Sequence, residues 1–265
     1  MQIKGKNIIL TGAGGGIGSE IAALLAKKGA NLALVDMSQK ALEKVMTICS
    51  GHGARVVGIA ADISKEEERA RIFRETSSAL GPADVLVNNA GVMVFKSIKN
   101  HTEGEVYSTL MVNVFAAIRL TQLALDGMIK RKSGKIVNIG SVFGSLAFPY
   151  FGVYSASKSA IKGFSEALRR ELHGTGVGVT YVAPRAARTS QSPAFFEMAE
   201  KMKMNLDAPS KVAEVVIRAI EKDSHEVTIG FPERFFVFIN KLFPSAVDKG
   251  LIKQAAIMAG YAPKA

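Results

Sequence analysis

The sequence predicts an α/β fold, a doubly wound, mostly parallel seven-stranded sheet with helices on both faces. Three observations carry that expectation. Short runs rich in β-branched residues alternate with amphipathic stretches along most of the chain. The runs are almost continuously apolar, as in strands buried on both faces, rather than apolar at every second position. A glycine-rich octapeptide, TGAGGGIG (11–18), joins the first run to the first amphipathic stretch. Right-handed crossovers then distribute the helices over both faces.

The elements follow in order. NIIL (7–10) is the first strand and leads through the glycine turn into a helix over 16–28. NLALVD (31–36) precedes a helix over 39–50, ARVVGIAAD (54–62) one over 65–79, and DVLVNNA (84–90) a long one over about 103–131. GKIVNIGS (134–141) precedes a helix over 153–173, VGVTYVAP (177–184) is the sixth strand, and a helix over 210–222 leads to the seventh, EVTIG (226–230). Two stretches break the rhythm. Residues 185–209, with Pro193 and Pro209, form a connection long enough to be a substrate loop or lid. Residues 231–265 set Phe235, Phe236, Phe238, Ile239, Leu242 and Phe243 among Arg234, Lys241, Lys249 and Lys253. Such an apolar-basic extension could dock on an anionic membrane, cover a greasy pocket, or bury against the fold or a second subunit. No repeat, low-complexity tract or linker divides the chain, so one domain over 1–265 is expected.

Composition narrows the function classes. The chain has 265 residues, 48% hydrophobic and 22% charged, as a globular domain with a sizeable core requires. No uninterrupted apolar run is long enough to span a bilayer, and the first residues lack a signal-peptide pattern. The single cysteine, Cys49, excludes an intrachain disulfide and fits a reducing, cytoplasmic setting, with peripheral membrane contact through 231–265 left open. The four histidines are scattered without metal-ligand spacing, so no metal site is expected. A net charge of +11 admits nucleic acid, an anionic membrane or acidic ligands, besides an enzyme with many exposed lysines. There is no basic–aromatic stripe, and the densest basic run, KRKSGK (130–135), reads as the solvated end of a helix, so nucleic acid is not an expected partner.

The glycine turn joins a buried strand to a helix, as a diphosphate site requires: glycine permits close backbone approach, and the helix N-terminus supplies N–H groups and positive dipole. Two frames fit, T-G-x-x-x-G-x-G through Gly12, Gly16 and Gly18, and T-G-x-x-G-x-x-G through Gly12, Gly15 and Gly18. The second strand ends in Asp36, placed to accept hydrogen bonds from adenosine ribose hydroxyls and to repel a 2′-phosphate, which favours NAD(H) over NADP(H). An ordinary helix cap near Ser38 is the plainer alternative for that residue. Tyr154 and Lys158 stand at i and i+4 in YSASK, on one helix face, with Ser141 at the end of the preceding strand. A phenol is a poor acid–base group near neutrality unless an adjacent cation favours its phenolate, which is what a lysine one turn away can do.

With TGAGGGIG, NNAG (88–91), Asn113 in VNVFAA, Ser141 and YSASK, the chain resembles the short-chain dehydrogenase/reductase family over residues 7–189. The resemblance implies a one-domain, seven-stranded Rossmann-type fold that uses a nicotinamide cofactor. It implies Tyr154 as general acid/base, Ser141 orienting the reacting oxygen, Lys158 binding the nicotinamide ribose and lowering the tyrosine pKa, and Asn113 supporting a water relay behind Lys158. Cofactor contacts are implied for Gly12, Gly16, Ile17, Gly18, Asp36, Asp62, Ile63, Asn89, Ala90, Gly91, Tyr154, Lys158, Pro184 and Thr189. It also favours the Gly12–Gly16–Gly18 frame, because Ser141 lies close ahead of Tyr154 and NNAG is intact. The family's P-G-x-x-x-T appears here as PRAART (184–189), with Arg185 in place of the glycine. If that position needs a positive φ, the arginine imposes strain or a shifted loop; Arg185 and Arg188 either draw an anionic substrate or cover the loop exterior. The expected function is interconversion of a hydrophobic secondary alcohol with its ketone or aldehyde by a homodimer or homotetramer. The alternative is a non-catalytic NAD(P)-binding sensor or scaffold of the same fold.

Overall fold

The computed structural model describes residues 1–189 and 193–263. Its seven strands are β1 (Asn7–Thr11), β2 (Asn31–Asp36), β3 (Val56–Ala60), β4 (Val85–Asn88), β5 (Gly134–Ile139), β6 (Val177–Ala183) and β7 (Glu226–Thr228). Ten α-helices accompany them: α1 (Gly16–Lys27), α2 (Gln39–Ser50), α3 (Glu66–Leu80), α4 (Glu103–Leu110), α5 (Ala117–Lys130), α6 (Gly152–Glu171), α7 (Pro193–Lys201), α8 (Pro209–Glu221), α9 (Phe231–Leu242) and α10 (Pro244–Ala259). The strands form one sheet in the order β3-β2-β1-β4-β5-β6-β7, and every neighbouring pair is parallel.

Apolar strands need cover on both faces, and two clusters supply it. Ile21 and Leu25 of α1, Leu42 of α2 and Val212, Val216 and Ile220 of α8 bury one face with Ile8, Leu10, Leu32 and Leu34. Ile72 of α3, Leu120, Ala124 and Met128 of α5 and Leu168 of α6 bury the other with Ile9, Leu86 and Ile136. The chain proceeds outward from β1 in one direction and resumes at β4 in the other. A crevice therefore opens beyond the C-terminal ends of β1 and β4, where the winding reverses.

Polar contacts fix that crevice. The Thr11 hydroxyl accepts hydrogen bonds from the Asn89 and Ala90 amides at 3.0 and 3.1 Å, and Asn89 Nδ2 donates to the carbonyls of Thr11 and Gly12. The NNAG turn is thus stitched to the glycine turn. Asn88 and Asn138, opposite each other on β4 and β5, share a 2.9 Å hydrogen bond that continues from Asn138 to Ser165 of α6.

Several expectations are corrected. Strand pairing ends at Asn88 and, after a last hydrogen bond from the Gly140 amide to the Val182 carbonyl at 2.7 Å, beyond Ile139, so Asn89–Ala90 and Ser141 leave the ladder as loop residues at the crevice. The helix expected over 103–131 contains a wider π-helical turn, Met111–Ala116, between α4 and α5. That stretch, Glu103–Lys130, is long and apolar enough by composition to cross a membrane, yet Leu120, Ala124 and Met128 pack into the core. The connection 185–209 holds a helix, α7, whose Phe195, Met198 and Ala199 are buried; residues 190–192 lie outside the described residues. The stretch after β7 forms two helices, α9 and α10, with Val247 and Met258 buried and Phe231, Phe235, Phe238 and Leu242 exposed on α9; residues 264–265 lie outside the described residues. Lys135, in the run read as solvated, is 1% exposed and paired with Asp223, because it stands on β5 with β4 and β6 paired on either side.

Candidate active site

The glycine turn forms because β1 ends against β4 while α1 begins beneath it. Gly12 has φ +64, and a Cβ there would approach the Ala90 backbone to 2.8 Å; at Gly18 a Cβ would meet the Gly12 carbonyl oxygen at 2.0 Å. At Gly15 it would meet that oxygen at an ordinary 3.4 Å, and at Gly16 it would press on Thr189 at 3.0 Å. The three tight positions are therefore Gly12, Gly16 and Gly18. Gly14, which neither frame marks, is also tight, since a Cβ would come within 2.6 Å of Ala41 Cβ. No sequence motif flags it, because the clash comes from α2.

Asp36 bridges two elements: Oδ2 accepts the Gly14 amide at 3.0 Å and Oδ1 the Ser38 amide at 3.0 Å, while Ser38 itself caps α2. Each carboxylate oxygen has a further lone pair free for a hydroxyl. A groove of about 490 Å³ runs over this turn, lined by Gly12, Gly16, Ile17, Gly18, Asp36, Asp62, Ile63, Asn89, Ala90, Gly91 and Thr189. Asp62 caps its own turn through Ser64, and Arg69, 3% exposed, holds the Ile63 and Ser64 carbonyls at 2.7 and 2.8 Å. Arg69 was invisible to spacing arguments because its partners are backbone carbonyls.

A second, adjoining pocket of about 220 Å³ shares Ile17, Asn89, Gly91 and Thr189 with that groove and is lined by Ser141, Tyr154, Lys158 and Pro184. Ser141 Oγ accepts the Phe143 amide at 3.1 Å, which leaves its proton for the Tyr154 phenol oxygen. Burial pushes Tyr154 up to about 12, against the opposing Ser141 hydrogen bond. Burial likewise pushes Lys158 down to about 8. Its Nζ donates to the Ile139 carbonyl at 3.0 Å and stands 5.7 Å from the Tyr154 ring centroid. Desolvation, which acts against the charged form of both groups, governs both shifts in this state, and at the phenol it is the Ser141 hydrogen bond that opposes it.

Asn113 sits behind the pocket, on the π-helical turn. Its Oδ1 accepts the Val92 amide at 2.8 Å, and Nδ2 donates to the Val92 carbonyl and to Ser157 Oγ, both at 2.9 Å. A Cβ at Gly91 would lie 3.2 Å from Asn113 Oδ1 and 3.5 Å from Lys158 Nζ, so both groups face the same glycine. Tyr181 of β6 was also missed. It is 2% exposed, and its hydroxyl lies between the Ser141 amide and carbonyl at 3.4 and 3.3 Å. Its place on a buried strand gives only a packing signal in sequence.

Arg185 takes neither of the two roles expected for it. It has no positive φ. Nε and Nη2 grip Asp207 in two 2.8 Å contacts and Nη1 reaches Glu233 at 3.1 Å, tying the loop after β6 to α9. Arg188 is exposed.

The groove, the glycine cradle a Cβ would fill, and the donors beside it fit a dinucleotide laid across the switch point. Comparisons with known proteins agree. The family model described as short chain dehydrogenase matches residues 6–200. A ketoacyl reductase, HetN, of Nostoc sp. is 30% identical over 253 residues, covering 93% of this chain and 88% of that protein. An uncharacterized oxidoreductase of Thermotoga maritima is 32% identical over 209 residues, covering 76% and 82%. Among solved structures, a short chain dehydrogenase/reductase of Burkholderia phymatum in complex with NAD superposes with TM-score 0.84 at 23% identity, over 93% of this chain and 96% of that one. A putative short-chain alcohol dehydrogenase of Sinorhizobium meliloti gives 0.79 at 26% identity, over 85% and 94%. With its fold, its crevice and these relatives, the chain belongs to the short-chain dehydrogenases/reductases and is an NAD(P)-dependent oxidoreductase.

Proposed function

We propose that the chain is an NAD(H)-dependent dehydrogenase that interconverts a hydrophobic secondary alcohol with its ketone, Tyr154 serving as general acid and base. The observation that carries this is the gathering of Ser141, Tyr154 and Lys158 in one pocket that opens onto the dinucleotide groove. The nicotinamide, when bound, supplies the hydride acceptor or donor and, oxidised, a positive charge beside the phenol. Gly12, Gly16 and Gly18 would let the diphosphate approach the start of α1, Asp36 would accept the adenosine ribose hydroxyls, and Asp62 and Ile63 would border the adenine. Lys158 has protons left beyond its Ile139 contact for the second ribose.

In reduction Tyr154 gives its proton to the substrate oxygen; in oxidation it takes the hydroxyl proton. At neutral pH the free protein holds the phenol protonated, so the donor form is ready-made. Ser141, fixed by the Phe143 amide and flanked by Tyr181, meets the negative charge that grows on the oxygen in the transition state, and a preorganised donor there lowers the barrier. For the cofactor, the residues lining the groove include Asp36 and no lysine or arginine, which supports NAD(H) over NADP(H).

The test is a panel of secondary alcohols followed at the NADH absorbance, first with NAD⁺ and then with NADP⁺. Turnover with NAD⁺ at least tenfold better in kcat/KM than with NADP⁺ is expected. Nucleotide binding without turnover of any alcohol or ketone would instead favour the sensor or scaffold.

A further inference from the structure

Beside the catalytic pocket lies a second cavity of about 490 Å³, walled by the turn after β5, the end of α7, and helices α9 and α10. Phe143, Arg185 and Ala186 line both spaces, so the two are neighbours through a shared wall rather than separate features. The Phe143 ring stands edge-on to Tyr154 with centroids 6.2 Å apart and stacks on Phe148 at 4.7 Å on its other side. From there the lining is largely apolar: Leu146, Phe236, Ile239 and Leu251 enclose the space.

The arginine in this wall is already paired. The Arg185 guanidinium is taken up by Asp207 and Glu233, which leaves Lys203, exposed to solvent, as the other lining cation. Gln254, also in the wall, has a buried Oε1 with no hydrogen-bond partner among the described residues. A largely apolar space next to a proton-transfer site suits an aliphatic chain whose oxygenated carbon sits at Tyr154.

We propose that this cavity is the tail site of the substrate, and that the substrate is a single-chain amphiphile carrying its hydroxyl or carbonyl near one end and an uncharged alkyl tail. The tail passes Phe143 and lies between the turn after β5 and the α9–α10 pair. The assignment rests on the dehydrogenase reading above and adds the substrate class to it. It also gives α9 and α10 a function, since they close the chamber on the side away from the sheet.

The test is a homologous series of straight-chain 2-alkanols, from butan-2-ol to decan-2-ol, measured with NAD⁺ in the full-length protein. Burial of each methylene is expected to raise kcat/KM roughly three- to fourfold until the chamber is filled. Gly250 lines the cavity on α10, and a Cβ there meets nothing within 4 Å, so Gly250→Phe can be accommodated and intrudes on the chamber. This variant is expected to lose at least tenfold more kcat/KM on decan-2-ol than on butan-2-ol; its melting temperature and NADH affinity report folding. Calorimetric titration with the same alcohols gives a readout independent of turnover. Chain-length-dependent binding without turnover would keep the chamber and overturn the dehydrogenase reading. Turnover of the short alcohols with no gain along the series, or no difference between long and short in Gly250→Phe, would overturn the chamber.

Discussion

At the scale of single residues, the site places its chemistry where water is excluded, and that has a cost in stability. Lys158 is 5% exposed, and burial lowers it from an ordinary 10.5 to about 8. Between those two values the folded chain holds fewer protons than the unfolded chain, so stability rises with pH through this window. Below pH 8 the charge is buried in full, at a cost of about 3 kcal/mol. Lys158→Met is therefore expected to be more stable than the parent at pH 7, by roughly 1–3 kcal/mol after the lost hydrogen bond to Ile139 is subtracted, and to lack the rise between pH 8 and 10.5. Melting temperatures measured across that range check this; a variant less stable than the parent at pH 7 would contradict it. Which side chains belong to the pocket was legible in sequence, because Ser141, Tyr154 and Lys158 keep fixed spacings along one strand end and one helix face. The balance of forces on them was not. Spacing brings an ammonium near a phenol, whereas burial by Phe143, Phe195 and Ile139 depends on segments far apart in the chain.

At the scale of elements, the glycine turn shows how tertiary approach decides what sequence leaves open. Two frames fitted TGAGGGIG on spacing, both sharing Gly18, and the Cβ contacts separate them: a Cβ at Gly16 would press on Thr189 at 3.0 Å, whereas at Gly15 it would meet only the Gly12 carbonyl oxygen at an ordinary 3.4 Å. Gly15→Ala is accordingly expected to bind NADH within about twofold of the parent. Gly18→Ala, with a Cβ driven into a backbone carbonyl, is expected to fold poorly or to lose most NADH binding; titrating NADH fluorescence against both variants tests the pair. Equal loss in both would contradict it. Other elements were legible only in outline. The helix over Glu103–Lys130 reads as regular in sequence, but its π-helical turn brings Asn113 to the Val92 backbone, a demand set by the loop after β4. Helix α7 was hidden in a stretch with a proline at each end, and Pro193, at its first position, starts the helix rather than breaking it. Arg185 looked like a strained replacement for glycine because its partners, Asp207 and Glu233, lie far along the chain.

At the scale of the whole molecule, a parallel sheet with a reversal beside β1 generates a crevice, and the cofactor groove and proton-transfer pocket follow from its two ends. The doubly wound parallel class was readable from the alternation of apolar runs and helices, since crossover handedness leaves few alternatives. What covers the site was not readable, because 231–265 is amphipathic in a way that several environments satisfy. Besides α9, a second surface remains apolar after folding: Tyr107, Leu110, Phe115 and Leu123 are exposed along the Glu103–Lys130 helix. Pairing of that face with a second copy is expected, so the 28.2 kDa chain should sediment as a dimer or tetramer. Leu110→Glu should shift it toward monomer; a monomeric parent would contradict this. The claim on which everything else depends is proton transfer by Tyr154. It is tested most directly by comparing Tyr154→Phe with the parent for NADH affinity and for alcohol oxidation in one assay. The expected result is unchanged NADH binding with turnover reduced by at least about a hundredfold; turnover close to that of the parent would contradict it.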